Sequence, residues 1–276
     1  MQKNMLAYLL LSLSITTVAS KMTGFIVGGH EANMREWPFI AYLLAHKGRD
    51  SIAACGGSLI SSQTILTAAH CLDDVTNSKK DVGKIKYVIY MGHRLHRRAT
   101  MRRDMLDYMT HENYDPDDVY FDIGIMFLAN PVQFSHTVKK VMLMTGEMGR
   151  HMGQEGGLAV AGWGRFGWDS PGSEFLKSLD QTLLSQDLCY QYIDETENAP
   201  GIICGAKNAE VNSTEYAFSG DSGGPLARPR DQRLAGLVSW RMESHGVTVY
   251  TSVPFFYSWI EDTQLKLFRR YCGKSG

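Results

Sequence analysis

A glycine-rich segment late in the chain, Gly220-Asp221-Ser222-Gly223-Gly224-Pro225, carries residue types that could do chemistry. So many glycines and a proline disfavour a regular helix or a central strand, and they predict a tight turn. Within it, the Ser222 hydroxyl stands beside the Asp221 carboxylate. Backbone N–H groups around a serine oxygen suit acyl transfer, because one good donor to a developing oxyanion is worth roughly 3–4 kcal/mol. The alternative is an ordinary glycine-rich turn.

Two earlier segments contain the partners that a serine nucleophile needs. Thr67-Ala68-Ala69-His70-Cys71 sets a histidine beside a cysteine, and Phe121-Asp122-Ile123-Gly124-Ile125-Met126 sets an aspartate in an apolar run. Taken alone, such a histidine is usually structural, and such an aspartate usually marks a strand end. A serine hydroxyl nevertheless requires an adjacent base. The order His70, Asp122, Ser222 also disfavours an α/β-hydrolase, because that fold needs its histidine after the serine and His245 follows too closely.

The elements that must position these residues look like short β-strands. Apolar runs alternate with Gly, Asn and Asp turns, as in a barrel or sandwich. These runs are 39–44, 58–60, 87–90, 158–161 and 234–240. Helical spacing is found over 255–270, where apolar residues recur before Arg269-Arg270. Strands and helices do not alternate, so a parallel α/β sheet is disfavoured and an all-β fold with a C-terminal helix is predicted.

The N-terminal 20 residues have the features of a secretory signal peptide. Lys3 precedes the apolar stretch Leu6 to Leu13, and small residues follow at Val18-Ala19-Ser20. A membrane anchor is the alternative, but the stretch is shorter than the ~20 residues that span a bilayer. About 250 residues remain, enough for one large β domain or two fused barrels. We therefore expect a secreted, extracellular protein without a membrane partner.

Net charge and cysteine positions bear on the partners, disulfides and metal sites that the protein can have. A net charge of −1 argues against a nucleic-acid partner. Cys55 lies close to Cys71 in sequence, and Cys189 to Cys204, so each pair could close a loop of about 15 residues worth ~3 kcal/mol. The sequence does not fix this connectivity, and Cys272 remains for a partner chain or as a free thiol. Zinc is not expected, because neither a C-x-x-C motif nor a histidine cluster occurs.

The three chemical segments, in their order, resemble those of the chymotrypsin/trypsin family of serine endopeptidases. The resemblance extends from about Ile26 to Ile260. It rests on further landmarks: Ile26-Val27-Gly28-Gly29, Trp37-Pro38-Phe39, Cys55-Gly56-Gly57-Ser58-Leu59-Ile60, Ala161-Gly162-Trp163-Gly164, Ser239-Trp240 and Val249-Tyr250-Thr251. It implies a protease domain over 26–276, built from two six-stranded antiparallel Greek-key β-barrels, roughly 26–135 and 136–254, with the active site between them and a C-terminal helix.

The resemblance also implies a role for each residue of the site. His70 takes the proton of Ser222, Asp122 orients His70, and the N–H groups of Gly220 and Ser222 form the oxyanion hole. Backbone groups of Ser239, Trp240 and Arg241 would pair with an extended substrate strand. Protein or peptide substrates are therefore expected, with protein protease inhibitors as further partners and no cofactor.

The family is made as inactive precursors, and this chain departs from the usual activation site. The amine of Ile26, released by cleavage after a short propeptide at 21–25, would pair with Asp221. Arg or Lys usually precedes that cut, whereas this chain has Gly24-Phe25. An activator with chymotrypsin-like preference is therefore expected.

The specificity pocket departs from the trypsin pattern. Tyr216 stands where trypsin-like members have Asp, so a Lys/Arg preference is not expected. Phe218 replaces the first cysteine of the usual pocket disulfide, and 217–221 resembles the granzyme and mast-cell chymase branch. Ser219 belongs to the same substrate-binding set.

Arg241 and Thr248 occupy positions where most members have Gly, as in elastases. A small or apolar side chain before the cleaved bond is therefore favoured. Two alternatives stay open: Arg241 selects an acidic side chain, or it points to solvent.

Some features lie outside this site. The basic run Arg94, His96, Arg97, Arg98, Arg102 and Arg103 indicates a solvated loop or a patch that steers an acidic partner. It also argues against a calcium site there. Asn212-Ser213-Thr214 is a glycosylation sequon.

Two other functions compete with an active endopeptidase. The chain could be a weakly active or non-catalytic homologue that serves as a binding or regulatory module. An interaction role through Cys272 would instead produce a disulfide-linked dimer.

Overall fold

The computed structural model describes residues 26–73, 85–92, 101–165, 173–193, 200–209 and 211–273. Within them, strands predominate, in agreement with the predicted all-β class. The strands are β1 His30–Glu31, β2 Ile40–Lys47, β3 Asp50–Leu59, β4 Thr64–Thr67, β5 Ile85–Met91, β6 Met101–Thr110, β7 Gly124–Leu128, β8 Met142–Leu143, β9 Leu158–Gly162, β10 Lys177–Leu183, β11 Ile202–Ala206, β12 Pro225–Arg228, β13 Arg233–Met242 and β14 Val247–Ser252. The helices are α1 Gly146–Gly149, α2 Met152–Glu155, α3 Gln186–Ile193 and α4 Tyr257–Tyr271.

The first barrel closes in the order β2-β3-β4-β7-β6-β5. Each pair in it is antiparallel. The strand β4 pairs with β7 rather than with β5, which follows it in sequence, and such a long return is a Greek-key connection. The short strand β7 is buried throughout, which accounts for its continuous apolar run.

The second barrel uses β9, β10, β11, β14, β13 and β12, and it closes because β9 pairs with both β10 and β12. Two short strands extend it: β1 pairs with β10, and β8 runs parallel to β13. The N-terminal segment thus contributes to the second barrel although it precedes the first in sequence. The predicted pair of six-stranded barrels is confirmed.

The C-terminal helix α4 packs against the first barrel. Its buried residues Ile260, Thr263 and Leu267 recur at helical spacing. The ring of Phe268 meets Phe127 of β7 edge to face, with centroids 5.3 Å apart. The predicted range 255–270 differs from the observed helix by two residues at its start and one at its end. No helix among the described residues is long and apolar enough to cross a membrane.

The helices α1, α2 and α3 were not predicted from the sequence. The first two have four residues each, too few for an apolar period to show. Helix α3 has eight residues and buries only Cys189 and Ile193. Its position is fixed by the disulfide from Cys189 to Cys204 of β11, so tertiary contacts rather than its own pattern define it.

Candidate active site

The loop that carries Ser222 is a tight turn immediately before β12. The N–H of Asp221 donates to the carbonyl of Phe218 over 3.0 Å, and that of Gly224 donates to the carbonyl of Asp221 over 2.8 Å. Gly220 has φ +96°, a left-handed conformation that glycine adopts without steric cost. The N–H of Gly223 donates to the carbonyl of Val238 on β13 over 2.7 Å. Local turn bonds and one strand therefore hold the serine in place.

The same loop lies directly against the first barrel. The N–H of Gly56 on β3 donates to the carbonyl of Ser222 over 2.7 Å. A Cβ atom on Gly56 would lie only 2.6 Å from Cα of Gly224. A glycine at position 56 is therefore what allows the two backbones to meet, and the serine is brought to the boundary between the barrels.

His70 and Asp122 form a fixed pair on the first barrel's side of this boundary. Nδ1 of His70 is 2.8 Å from Oδ2 of Asp122, and the His70 N–H donates to Oδ1 over 2.9 Å. Asp122 is 1% exposed, whereas the His70 side chain is 22% exposed. The carboxylate fixes the orientation of the ring and favours a proton on Nδ1, which leaves Nε2 as the acceptor.

The second barrel also binds Asp122. The Ser239 hydroxyl donates to Oδ2 over 2.5 Å, and the Thr251 hydroxyl donates to the Asp122 carbonyl over 2.9 Å. Ser239, expected to bind substrate, thus also supports Asp122, and Thr251 stands in the sequence only as part of a family landmark. Both contacts join residues more than a hundred positions apart, and no local pattern in the sequence marks them.

A disulfide brings the ring of His70 and the loop of Ser222 to one point. Sγ of Cys71 lies 3.6 Å from Nε2 of His70 and 3.6 Å from the carbonyl oxygen of Ser222. Cys71 is bonded to Cys55, and Cys189 to Cys204, which are the pairings that the sequence spacing favoured without fixing them. Ligand atoms of Cys55, His70 and Cys71 lie within 4.8 Å of one another. Because the two sulfurs are joined, the cluster offers no thiolate to a metal.

Asp221 is completely buried beneath the loop. Its Oδ1 accepts from the N–H of Gly164 over 2.8 Å, and its Oδ2 accepts from the N–H of Phe218 over 3.0 Å. Burial outweighs these donors and raises the pKa of Asp221 from 3.8 to about 7. Ile26 is also fully buried, within the apolar core of the second barrel.

The predicted pocket residues Tyr216, Phe218 and Arg241 lie together. The rings of Tyr216 and Phe218 are 6.1 Å apart, and Cζ of Arg241 lies 4.2 Å from the centroid of the Phe218 ring. The Arg241 guanidinium also binds Oε1 of Glu243, with Nη2 at 2.6 Å and Nε at 3.0 Å. Its side chain is 21% exposed, so it packs on the protein rather than extending freely into solvent. The Arg241 cation therefore lies over an aromatic face and beside a carboxylate.

The remaining predicted pocket residues are on neighbouring segments. Arg241 of β13 faces Thr248 of β14, and Trp240 faces Val249. Thr248 is fully buried and its hydroxyl accepts from the N–H of Ala217 over 3.2 Å. The carbonyl of Ser219 accepts from the N–H of Arg165 over 2.7 Å, which anchors the start of the serine loop.

The features outside the site lie on the surface. Asn212 is exposed with φ +70°, and Cys272 is an exposed free cysteine after α4. Arg102 and Arg103 belong to strand β6 and not to a loop. The rest of the predicted basic run, Arg94, His96, Arg97 and Arg98, lies outside the described residues.

The two barrels with a serine, a histidine and a buried aspartate at their boundary define a chymotrypsin-like serine peptidase. Residues 26–260 match the family profile described as Trypsin. The chain therefore belongs to the trypsin family.

Individual relatives cover nearly the whole chain. Cathepsin G of Mus musculus is 31% identical over 264 residues, covering 95% of this chain and 94% of the relative. Duodenase-1 of Bos taurus is 32% identical over 254 residues, covering 90% and 91%. Granzyme B of Rattus norvegicus is 29% identical over 262 residues, covering 94% and 98%.

Solved structures agree with the fold. A structure described as that of GrC gives a TM-score of 0.71 at 26% identity, covering 87% of this chain and 100% of its own. An HL collagenase gives a TM-score of 0.70 at 23% identity, covering 87% and 98%. The collagenase likeness concerns the fold alone.

Proposed function

We propose that this chain is a secreted serine endopeptidase, made as a precursor, that hydrolyses peptide bonds through an acyl-enzyme. The observation that carries this proposal is the pair formed by His70 and buried Asp122 beside the loop of Ser222. A binding module would have no need of a desolvated carboxylate that fixes the free nitrogen of an imidazole. Protein substrates follow from the family.

In the first step, Oγ of Ser222 attacks the carbonyl carbon of the cleaved bond while Nε2 of His70 takes the hydroxyl proton. The carbonyl oxygen becomes an oxyanion, which the N–H groups of Gly220 and Ser222 stabilise. His70 then gives the proton to the leaving amine, and the C–N bond breaks. Water, deprotonated by His70, cleaves the acyl-enzyme and restores Ser222. Asp122 stabilises the transient imidazolium through its negative charge and does not accept the proton.

Activation would follow from cleavage after Phe25, at the end of a propeptide formed by 21–25. In the uncut chain the nitrogen of Ile26 is part of a peptide bond and carries no charge. Once released, the amine would ionise and pair with the carboxylate of Asp221, which is buried beneath the serine loop. The proposal that the protein is secreted rests on the signal peptide predicted over residues 1–20.

The pocket residues favour a small or apolar side chain before the cleaved bond. The aromatic rings of Tyr216 and Phe218 lie 6.1 Å apart, and side chains of this size at the proposed pocket leave less room for a long substrate side chain. The charge of Arg241 is compensated by Glu243, which argues against an acidic preference. Lys or Arg would find no carboxylate at position 216.

Two surface features and one class of partner are proposed beyond the reaction itself. The exposed Asn212 within its sequon is a candidate for glycosylation, which a mass shift on glycosidase treatment would reveal. The exposed Cys272 is a candidate for an intermolecular disulfide, which would appear as a dimer on a non-reducing gel. Protein protease inhibitors would compete with substrates at the same site.

The test uses the full chain, cut to begin at Ile26, with Ser222→Ala as its matched control. We expect a fluorophosphonate probe to label the wild type and not Ser222→Ala, and a peptide library to be cut after small or apolar residues. Absence of labelling in correctly cut, folded protein would instead support a binding module. Strong cleavage after Lys or Arg would overturn the pocket assignment but leave the reaction standing.

A further inference from the structure

His111, at the end of β6, belongs to an aromatic cluster next to Asp122. Its ring is stacked with Phe121, with centroids 4.8 Å apart and planes at 26°. The ring of Trp259 on α4 lies 5.2 Å away at 31°. Phe256 meets both His111 and Phe121 edge-on, at 5.4 and 5.9 Å. The ring of His111 thus connects Phe121, the residue before Asp122, to the helix α4.

The backbone that this cluster supports is strained. Phe121 has φ +52° and Val119 has φ +57°, and neither residue is glycine. A side-chain-bearing residue in this region costs on the order of 1–3 kcal/mol and persists where its surroundings enforce it. The N–H of Ile123 donates to the carbonyl of Phe121 over 2.7 Å, so a tight turn encloses Asp122. A shift of Phe121 would therefore move the carboxylate.

His111 is itself anchored from both sides. Its N–H donates to the carbonyl of Ile123 over 3.0 Å, and its Nδ1 accepts from the N–H of Asn113 over 3.1 Å. The indole N–H of Trp259 donates to Oε2 of Glu112 over 3.1 Å. Burial lowers the pKa of His111, opposed by the charge of Glu112, and a neutral ring suits the acceptor role of Nδ1.

We propose that His111 is a positioning residue for Asp122, which it holds in place by stacking on Phe121 and packing against Trp259. The ring maintains the strained turn and thereby the 2.8 Å contact between Asp122 and His70. His111 does not touch the reacting atoms. The inference rests on the proposed peptidase function, and it assigns a role in catalysis to a residue outside the triad.

Two substitutions separate the stack from the hydrogen bond. His111→Phe keeps an aromatic ring but loses the acceptor for Asn113, whereas His111→Asn keeps a polar acceptor but loses the stack. Phe268→Leu is the control, because it removes an aromatic contact of the same helix with Phe127, away from Asp122. Each variant is cut to begin at Ile26, and thermal unfolding verifies that it is folded.

For His111→Phe we expect kcat within about twofold of the wild type. For His111→Asn we expect kcat to fall about tenfold with KM unchanged, because a displaced carboxylate acts on the transition state. The acid limb of its pH profile should move to lower pH, since a loosened carboxylate stabilises the imidazolium less. Phe268→Leu should lower the melting temperature without moving kcat or the pH profile.

A second readout does not depend on turnover. The proton between Nδ1 of His70 and Asp122 should give a low-field NMR signal in the wild type and in His111→Phe, and a broadened or shifted one in His111→Asn. Folded His111→Asn with unchanged kcat, pH profile and signal would overturn the positioning role. If the cut wild type does not hydrolyse peptides at all, the proposed function fails, and the NMR comparison still decides this inference.

Discussion

At the scale of single residues, Arg241 shows how a charge is neutralised by contacts within the protein. Its guanidinium lies over Phe218 and forms two hydrogen bonds with Glu243. Such a cation–π contact is worth roughly 0.5–2 kcal/mol, depending on its exposure. Arg241 is therefore a compensated charge that packs on Phe218, which is consistent with the proposed role as a wall of the pocket.

We predict that Arg241→Gly widens the range of accepted side chains. The substitution removes bulk above Phe218, so kcat/KM for peptides with a large apolar residue before the cleaved bond should rise about tenfold. A peptide library with the cut enzyme measures the profile. Glu243→Gln is the matched comparison, because it leaves the bulk and removes the countercharge, and it should raise cleavage after acidic residues. An unchanged profile in Arg241→Gly would show that Arg241 does not line the pocket.

The sequence singles out the candidate triad but not all of its supports. His70, Asp122 and Ser222 each stand in a short local motif, so their types and order identify them. The hydrogen bond from Ser239 to Asp122 spans 117 positions, and it exists because β13 carries Ser239 to the barrel boundary. The sequence does not fix the direction of the Arg241 side chain for the same reason, since that direction depends on Glu243 and Phe218 together.

At the scale of elements, the position of the nucleophile depends on how closely β3 approaches the serine loop. Gly56 and Gly224 meet with backbone against backbone, and the Gly56 N–H holds the carbonyl of Ser222. The hydroxyl of Thr67 on β4 also donates to the Gly56 carbonyl over 2.8 Å. Two strands of one barrel thus fix a loop of the other.

We predict that Gly56→Ala lowers the rate of fluorophosphonate labelling at least about tenfold in a folded protein. The new Cβ would lie 2.6 Å from Cα of Gly224, so the loop must move away from His70. Misplacement of about 1 Å can cost a factor of 10² in rate. Gly153→Ala on α2 is the control, since its nearest contact would be 3.9 Å away. Equal labelling rates in Gly56→Ala and the wild type would contradict this view of the loop.

The strands were predictable because alternating or continuous apolar runs mark them, as β2 and β9 show. The short helices α1 and α2 contain too few residues for a period, and thus could not be recognised. The pairing of β1 with β10 could not be predicted from the sequence either. A two-residue strand has no pattern of its own, and its partner is far away in the chain.

At the scale of the whole molecule, the N-terminal segment packs against the segment that precedes the serine loop. Gly28 has φ +79°, and a Cβ there would lie 2.1 Å from Cγ of Glu215. Glu215 forms an ion pair with Lys207 and directly precedes Tyr216 of the pocket. The fully buried Asp221 lies beneath the serine loop of the same barrel. The N-terminal segment therefore lies against the residue that precedes Tyr216, and pairing of a released Ile26 amine with Asp221 stays a proposal.

We predict that the uncut precursor loses stability as pH rises from about 4 to about 7 because of Asp221. Burial raises the folded pKa of this carboxyl from 3.8 to about 7, so within that window the folded state binds more protons than the unfolded state. Stability must then fall with rising pH, by about 1.4 kcal/mol for each pKa unit of difference between the two states. The contribution is fully present below the unfolded pKa and is lost as pH rises through the folded pKa.

The measurement is the melting temperature against pH for the uncut wild type and for uncut Asp221→Asn, which cannot ionise at this position. All other titrating groups are shared, so the difference between the two curves isolates Asp221. The wild type should lose stability relative to the variant between pH 4 and 7, and the curves should run parallel below pH 4. After cleavage before Ile26, the new amine favours the ionised carboxylate, and the relative loss should shrink or reverse. Parallel curves over the whole range in the uncut proteins would contradict the raised pKa, and identical behaviour before and after cleavage would contradict pairing of Asp221 with Ile26.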